Sequence, residues 1–281
     1  MANNQEMLEK WNGDAGRRWA DYQGRIDAAL DIFGVRALAK FQARPGERVI
    51  DVGCGAGATV LSLAKAVGGG GQVLGLDASE TLLNRARERT AGLEQVSFVH
   101  GDASQHPLPG DFDGVFSRFG VMFFDQPSSA LAHLRGALHP RGRMVFVCWQ
   151  GLEANPWIAE PLKAVLPFLA EPPAAPIPNA PGPFGFADPD HLRSLVLEAG
   201  FTDIEIEEVM EPVTVGQEGV DDAVEFAMQV GPCERIASEQ TEAVQEKMRV
   251  SLKQLYSECE RQDASVTLSG AAWILSAKNA D

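Results

Sequence analysis

Basic residues are scarce in this chain: 24 Lys and Arg stand against 39 Asp and Glu, a formal charge of −15. A phosphate backbone or an anionic lipid surface needs a concentrated positive face, and here acids dominate residues 203–260 instead. Nucleic acid and membrane are therefore excluded as partners, and a small organic molecule is the simpler expectation. Cysteine is equally sparse. Cys54, Cys148, Cys233 and Cys259 form no CxxC pair, and their scatter suits neither a zinc site nor a disulfide framework, so no metal is expected and a reducing cytoplasm fits. No apolar run approaches the ~20 residues that span a bilayer, and the opening MANNQEMLEKWNG lacks the apolar segment of a secretion signal. A soluble, cytoplasmic protein is expected. Internal repeats are also lacking. The 281 residues suffice for one large domain or a domain with a cap.

Glycine, by contrast, is placed with order. In residues 48–59, RVIDVGCGAGAT, an apolar run carrying Asp51 breaks into alternating Gly53, Gly55 and Gly57. Downstream, Val60, Leu61, Leu63, Ala64 and Val67 recur at helical spacing. The unit reads as strand, loop, helix. Glycines let a backbone approach a ligand closely, and the free N–H groups of the helix start face the same space. Two ligand classes use such a turn. The dinucleotide pattern G-x-G-x-x-G/A can be laid over Gly53, Gly55 and Ala58, which keeps a nicotinamide or flavin cofactor in view. The fuller description is D-x-G-x-G-x-G, and a carboxylate at Asp51 suits a cofactor with a cationic amine while repelling a pyrophosphate. Asp77 ends the run at 72–77, where an acid can accept hydrogen bonds from ribose hydroxyls in either case.

Further strands are predicted over 96–99, 112–119, 144–149, 202–209 and 266–277, and helices over 81–91, 127–138 and 155–169. Asp188 caps another helix, with Pro189 at its first position and Gly200 after its end. Arg85, Arg87 and Arg89 read as a solvated helix face. Residues 1–45 look helical, with Trp11, Trp19 and Tyr22 docking on the core. Residues 220–262 read as two amphipathic helices whose acids face water. Residues 171–183 are too rich in proline and alanine for regular structure. Because Gly101, Asp102 and Ala103 follow the third strand, Asp51, Asp77 and Asp102 should converge at the carboxyl edge of a parallel sheet. Ser117, Arg118, Phe119 and Met122 meet that edge at the end of the fourth strand. Residues 150–187 are expected to face the substrate, with Trp157, Phe184 and Phe186 as apolar lining or as core.

The blocks VIDVGCGAGAT, GLDASETLL, HGDASQHPLP, FDGVFSRFGVMFF and LRGALHPRGRMVFVCW, in this order and at these intervals, resemble the class I S-adenosylmethionine-dependent methyltransferases. GPFGFADPDHL and AAWILSAK are similar to the small-molecule branch (methyltransferase type 11) that includes the ubiquinone and menaquinone C-methyltransferases. The resemblance implies an α/β fold, a Rossmann-like seven-stranded, mostly parallel sheet whose last strand inserts antiparallel between strands 5 and 6. It divides the chain into an N-terminal helical lid (1–45), a cofactor-binding core (46–150), a substrate cap (151–187) and a C-terminal completion (188–281) with a helical insertion (220–262). It implies that S-adenosyl-L-methionine lies among Asp51, Gly53, Cys54, Gly55, Gly57, Asp77, Ala78, Gly101, Asp102 and Ala103, with Arg118, Phe119 and Met122 near its methionine half, Ser117 beside them and Trp19 in the lid. Asp102 would accept from the adenine amine while the Ala103 N–H donates to the ring. No N-P-P-Y-type motif follows the fourth strand, which argues against methylation of DNA or amide nitrogens.

The expected activity is methylation of oxygen, nitrogen or carbon on a small acceptor. A chain of this fold that binds the cofactor without transfer, as a cyclase or scaffold, is the alternative, and an NAD(P)-dependent oxidoreductase is the remote one. None of His100, His106, His133, His139 and His191 has a neighbour in sequence that marks it as a base, so no catalytic residue is named. A homodimer is compatible with the sequence.

Overall fold

The computed structural model describes residues 5–171, 173 and 177–280. Residues 1–4 of the expected lid, residue 281, and residues 172 and 174–176 of the proline-rich stretch lie outside the described residues. The sheet is organised around β1 (Arg48–Val52), whose residues from Val49 onward are all buried because helices cover both faces. To one side, β2 (Gln72–Asp77) pairs parallel with β1 and β3 (Val96–His100) with β2. To the other lie β4 (Phe112–Arg118) and β5 (Leu138–Trp149), also parallel. The full order of the seven strands is β3-β2-β1-β4-β5-β7-β6, with β7 (Val266–Asn279) antiparallel to both β5 and β6 (Phe201–Gly216). Strand order reverses between β1 and β4, and in such sheets ligands bind beyond the carboxyl ends at that switch.

Three helices precede the sheet: α1 (Gln5–Asn12), α2 (Asp14–Asp21) and α3 (Gln23–Phe41). The long α3 buries Ile26, Leu30, Phe33, Ala37 and Phe41 at helical spacing. Gly114 of β4 makes room for it, since a Cβ there would lie 2.4 Å from Phe41 Cζ. Then come α4 (Ala58–Val67), α5 (Glu80–Arg89), α6 (Pro127–Gly136), α7 (Pro156–Val165) and α8 (Pro189–Glu198). Their starts are written locally. Ser79 accepts from Leu82 N ahead of α5, and Asp188 accepts from Asp190 N and His191 N ahead of α8. A single 3-10 turn, Val121–Phe123, follows β4.

Several expectations need correction. Residues 220–262 hold three helices, α9 (Val220–Gln229), α10 (Pro232–Ser238) and α11 (Glu242–Cys259), because Gly231 at φ 87° and Pro232 break the chain between the first two. Strand β6 runs 16 residues because it pairs along nearly all of β7, and as the edge strand it tolerates Pro212. Arg89 is not on a solvated face: it donates to Ala56 O at 2.7 Å and pairs with Asp27 at 3.0 Å. Nor do all the late acids face water, since Glu234 is buried against Arg18 at 3.0 Å. Phe186 belongs to the core, packed on Phe146. Among the described residues no helix is long and apolar enough to cross a membrane, and no cluster of His, Cys, Asp or Glu could hold a metal ion.

Candidate active site

Beyond Val52 the chain turns through Gly53, Gly55 and Gly57, all at positive φ (66°, 53° and 81°), before α4 begins. This path is open only to glycine for a steric reason at each end of the loop. A Cβ on Gly53 would sit 2.7 Å from Gly120 Cα, and one on Gly57 would press on Ala86. Gly55 differs, because nothing lies within 4 Å of where its Cβ would be. That free side faces the cavity that Gly55 lines. Asp77 holds the loop in place: its Oδ2 accepts from Gly55 N and its Oδ1 from Ser79 N, both at 2.8 Å. Burial raises its pKa and the two backbone donors lower it in part. Asp102 is held likewise, accepting from Ser104 N at 2.9 Å and Gln105 Nε2 at 3.0 Å.

A cavity of about 250 Å³ opens above this floor. Of the residues expected around the cofactor, Gly53, Cys54, Gly55, Asp77, Ala78, Gly101, Asp102, Ala103, Arg118, Phe119, Met122 and Trp19 line it. Asp51, Gly57 and Ser117 do not. Gly57 is the turn into α4. Ser117 ties two strand ends together, donating to Val52 O at 2.7 Å and accepting from Gly120 N at 3.2 Å. Asp51 lies fully buried beneath the loop. Its Oδ2 accepts from Thr59 Oγ1 at 2.5 Å, while Oδ1 has no partner among the described residues. Burial pushes its pKa up to about 7 against the pull of Thr59 and Arg118.

Asn12 of α1 fastens the N-terminal helices to the floor. Its Nδ2 donates to Ala78 O at 2.7 Å and its Oδ1 accepts from Glu80 N at 3.3 Å. Trp11 packs edge-on against both Trp19 (5.4 Å) and Phe123 (5.7 Å). Asp27 of α3 joins two arginines from opposite sides, Arg118 at 2.8 Å and Arg89 at 3.0 Å. Tyr22 does not line the cavity; it packs on the core with its hydroxyl 3.5 Å from Glu225.

Gln23 and Asp27 of α3 also line the cavity, and the remaining walls are largely apolar. Trp149, Trp157, Ile158 and Phe184 come from β5, α7 and the segment beyond, and Val215, Phe226, Ala227, Val230, Cys233 and Tyr256 from the end of β6 and the helices α9 to α11. The last group is absent from the sequence reading, which took the charge of 220–262 as its message and not its apolar face. Phe119 stacks on Trp149 at 4.0 Å and 14°, and holds a left-handed φ of 60° to do so. No histidine lines the cavity. His106 sits behind Gly101, His133 donates to His106 O at 2.8 Å, and His139 pairs with Asp113.

A family model described as a methyltransferase domain matches residues 49–142. The demethylmenaquinone methyltransferase of Staphylococcus epidermidis is 32% identical over 183 residues, 62% of this chain and 75% of that protein. An uncharacterized 37.1 kDa protein in transposon TN4556 of Streptomyces fradiae is 38% identical over 128 residues, 45% of this chain and 37% of that one. Among solved structures, phosphoethanolamine N-methyltransferase 2 of Haemonchus contortus, bound to phosphomonomethylethanolamine and S-adenosylhomocysteine, shares the fold with a TM-score of 0.60 at 17% identity, over 100% of this chain and 61% of that chain. The chain belongs to the class I S-adenosylmethionine-dependent methyltransferases, the enzymes whose cofactor is S-adenosyl-L-methionine.

Proposed function

We propose that this protein transfers a methyl group from S-adenosyl-L-methionine to a small, largely apolar organic acceptor. The observation that carries the reading is that one cavity joins two unlike halves. Its floor has the Gly53–Gly55 backbone, Asp77 and Asp102, and its far walls are aromatic and aliphatic. On this reading Asp77 accepts from the ribose hydroxyls, Asp102 and the Ala103 N–H meet the adenine edge, and Gly55 leaves space for the ligand. The floor fits the group: Asp77 is fixed by one backbone donor on each of its oxygens, and each carboxylate oxygen has a second lone pair. When bound, the cofactor supplies a methyl group already activated on a sulfonium.

The chain's own part is then to orient the acceptor and exclude water. The lid, closed over the floor by Asn12, Trp11 and Trp19, contributes the exclusion. No side chain of the apolar half is a base at neutral pH. The two ionisable groups there, Cys233 and Tyr256, are pushed up by burial, the thiol to about 12 and the phenol beyond its ordinary range. Asp27, the carboxylate that α3 brings to the cavity, is ion-paired with Arg118 and Arg89, so on this reading the acceptor is nucleophilic in its own right. The staphylococcal relative's name, demethylmenaquinone methyltransferase, agrees with an apolar acceptor.

The test is calorimetric titration with S-adenosylmethionine and, as control, NADH, followed by detection of S-adenosylhomocysteine on incubation with a metabolite pool. Micromolar binding of the first ligand and turnover are expected. Binding without turnover over a broad pool would favour a non-transferring protein of this fold, and binding of NADH alone would overturn the cofactor.

A further inference from the structure

Two charged side chains from different elements hold the glycine loop. Asp77 of β2 accepts from Gly55 N at 2.8 Å, and Arg89, the last residue of α5, donates from Nη1 to Ala56 O at 2.7 Å. Gly55 and Ala56 line the cavity, whereas Arg89 does not. The same Nη1 reaches Asp27 Oδ2 at 3.0 Å. One guanidinium nitrogen of this kind carries two N–H groups, enough for both bonds. Asp27 is therefore what aims the arginine that holds the loop. Without that carboxylate, a long side chain at a helix end regains its rotamer freedom and turns to water.

Asp27 is fixed in its turn. Its Oδ1 accepts from Arg118 Nη2 at 2.8 Å, and Gln23 Nε2 donates to Oδ2 beside Arg89. The side chains of Asp27, Arg89 and Arg118 are 20%, 27% and 13% exposed, so salt and water screen them little. Gly34, seven residues on and on the same face of α3, leaves room for Arg118, since a Cβ there would lie 3.1 Å from Arg118 Cδ. Glycine weakens a helix interior, and here it clears the path by which Arg118 reaches Asp27. Arg36 of the same helix differs: it is largely exposed and meets Glu211 of β6, away from the cavity.

Resting on the assignment of the floor to S-adenosyl-L-methionine, we infer that Asp27 is a positioning residue for the cofactor loop, acting through Arg89 on the Ala56 carbonyl. A loop already held in its binding shape has less freedom to lose when a ligand docks, and the difference appears as affinity. Because Asp27 also fixes Arg118, which lines the cavity itself, a change at Arg118 mixes contact with positioning. Arg89 stands outside the cavity, so what its loss does to a ligand is transmitted through the loop.

The experiment uses the full chain and S-adenosylhomocysteine, titrated calorimetrically into wild type, Asp27→Ala, Arg89→Ala and the double variant. Each single variant is expected to lose roughly 5- to 10-fold in affinity, and the double variant no more than the larger single loss, because the two residues act on the loop in series. Arg89→Lys, whose one ammonium can donate to both oxygens, should lose less than Arg89→Ala. Arg36→Ala should bind as wild type does. Thermal melts of the free proteins check folding, and Asp27→Asn, which keeps the shape of the side chain, takes the place of Asp27→Ala if that variant does not fold. Unchanged affinity in either single variant, or losses that multiply in the double variant, would overturn the proposal and leave the cofactor site standing. A wild type that binds no S-adenosylhomocysteine would overturn the cofactor reading beneath it, and the proposal with it.

Discussion

Around the floor of the cavity, polar groups pair with backbone over short to moderate spans: Asp77 with Ser79 N and, across 22 residues, with Gly55 N, and Asp102 with Ser104 N and Gln105. Around the roof they come from far apart, Arg18 with Glu234, Arg25 with Asp222, Arg36 with Glu211, and what reaches the cavity is apolar. The difference separates two tasks. A floor that holds a ligand common to many reactions is built from backbone geometry, which tolerates little change. On the proposed function, a roof that would select the acceptor is built from side-chain surface, where shape can vary while the scaffold stays.

Breaking the floor should have the largest effect. Gly55→Val forces a β-branched residue to φ 53° and fills the side of the loop that faces the cavity. Cofactor affinity by calorimetry is expected to fall on the order of 100-fold, combining backbone strain with a blocked contact. Asp77→Ala should follow, losing about 1.5–3 kcal/mol of cofactor binding as charged hydrogen bonds disappear; unchanged affinity in both variants would sink the floor as the cofactor site.

A third test concerns the sealed acid. The folded-state pKa of Asp51 lies above its unfolded value, at about 7, so the native state binds the extra proton between roughly pH 4 and pH 7. Its contribution to stability is present below that window and is lost as pH rises through it. Asp51→Asn should remove this trend, so that the difference in Tm between variant and wild type moves in the variant's favour from pH 5 to pH 8. A flat difference would mean that Asp51 is not protonated in the native state.

The smallest effects sharpen the contrast on a single helix. Arg85 and Glu88 are 54% and 65% exposed, and Arg85→Ala should change stability by less than about 0.5 kcal/mol. Arg89, bonded to Ala56 O and Asp27, should cost about 1–2 kcal/mol when changed to Ala, because Asp27 and a loop carbonyl lose a partner. Urea titrations of the two variants compare them directly.

Arg85, Arg87 and Arg89 also mark where the sequence stops being readable. All lie in one amphipathic stretch with no sign that separates Arg89 from its neighbours, since its partners Ala56 and Asp27 are 33 and 62 residues away. Phe119 is similar: nothing local demands a left-handed phenylalanine, and only the stacking with Trp149 accounts for it. The roof was hidden for the opposite reason. The acids of 220–262 are conspicuous, whereas Phe226, Cys233 and Tyr256 become cavity walls only when α9 to α11 pack above the end of β6.

By itself the sequence determined the strand, glycine loop and helix around Asp51, the acids Asp77 and Asp102 at neighbouring strand ends, and the antiparallel last strand that the resemblance implied. Those features follow from residues adjacent in the chain, where alternation, φ freedom and caps act over a few positions. Only the tertiary structure decided that Asp51 lies beneath the loop, that Ser117 ties β1 to β4, and that Tyr256 becomes a wall of the cavity. Burial and partnership are properties of what packs around a group, and in this protein such neighbours can lie 203 residues apart, as Tyr22 and Glu225 do.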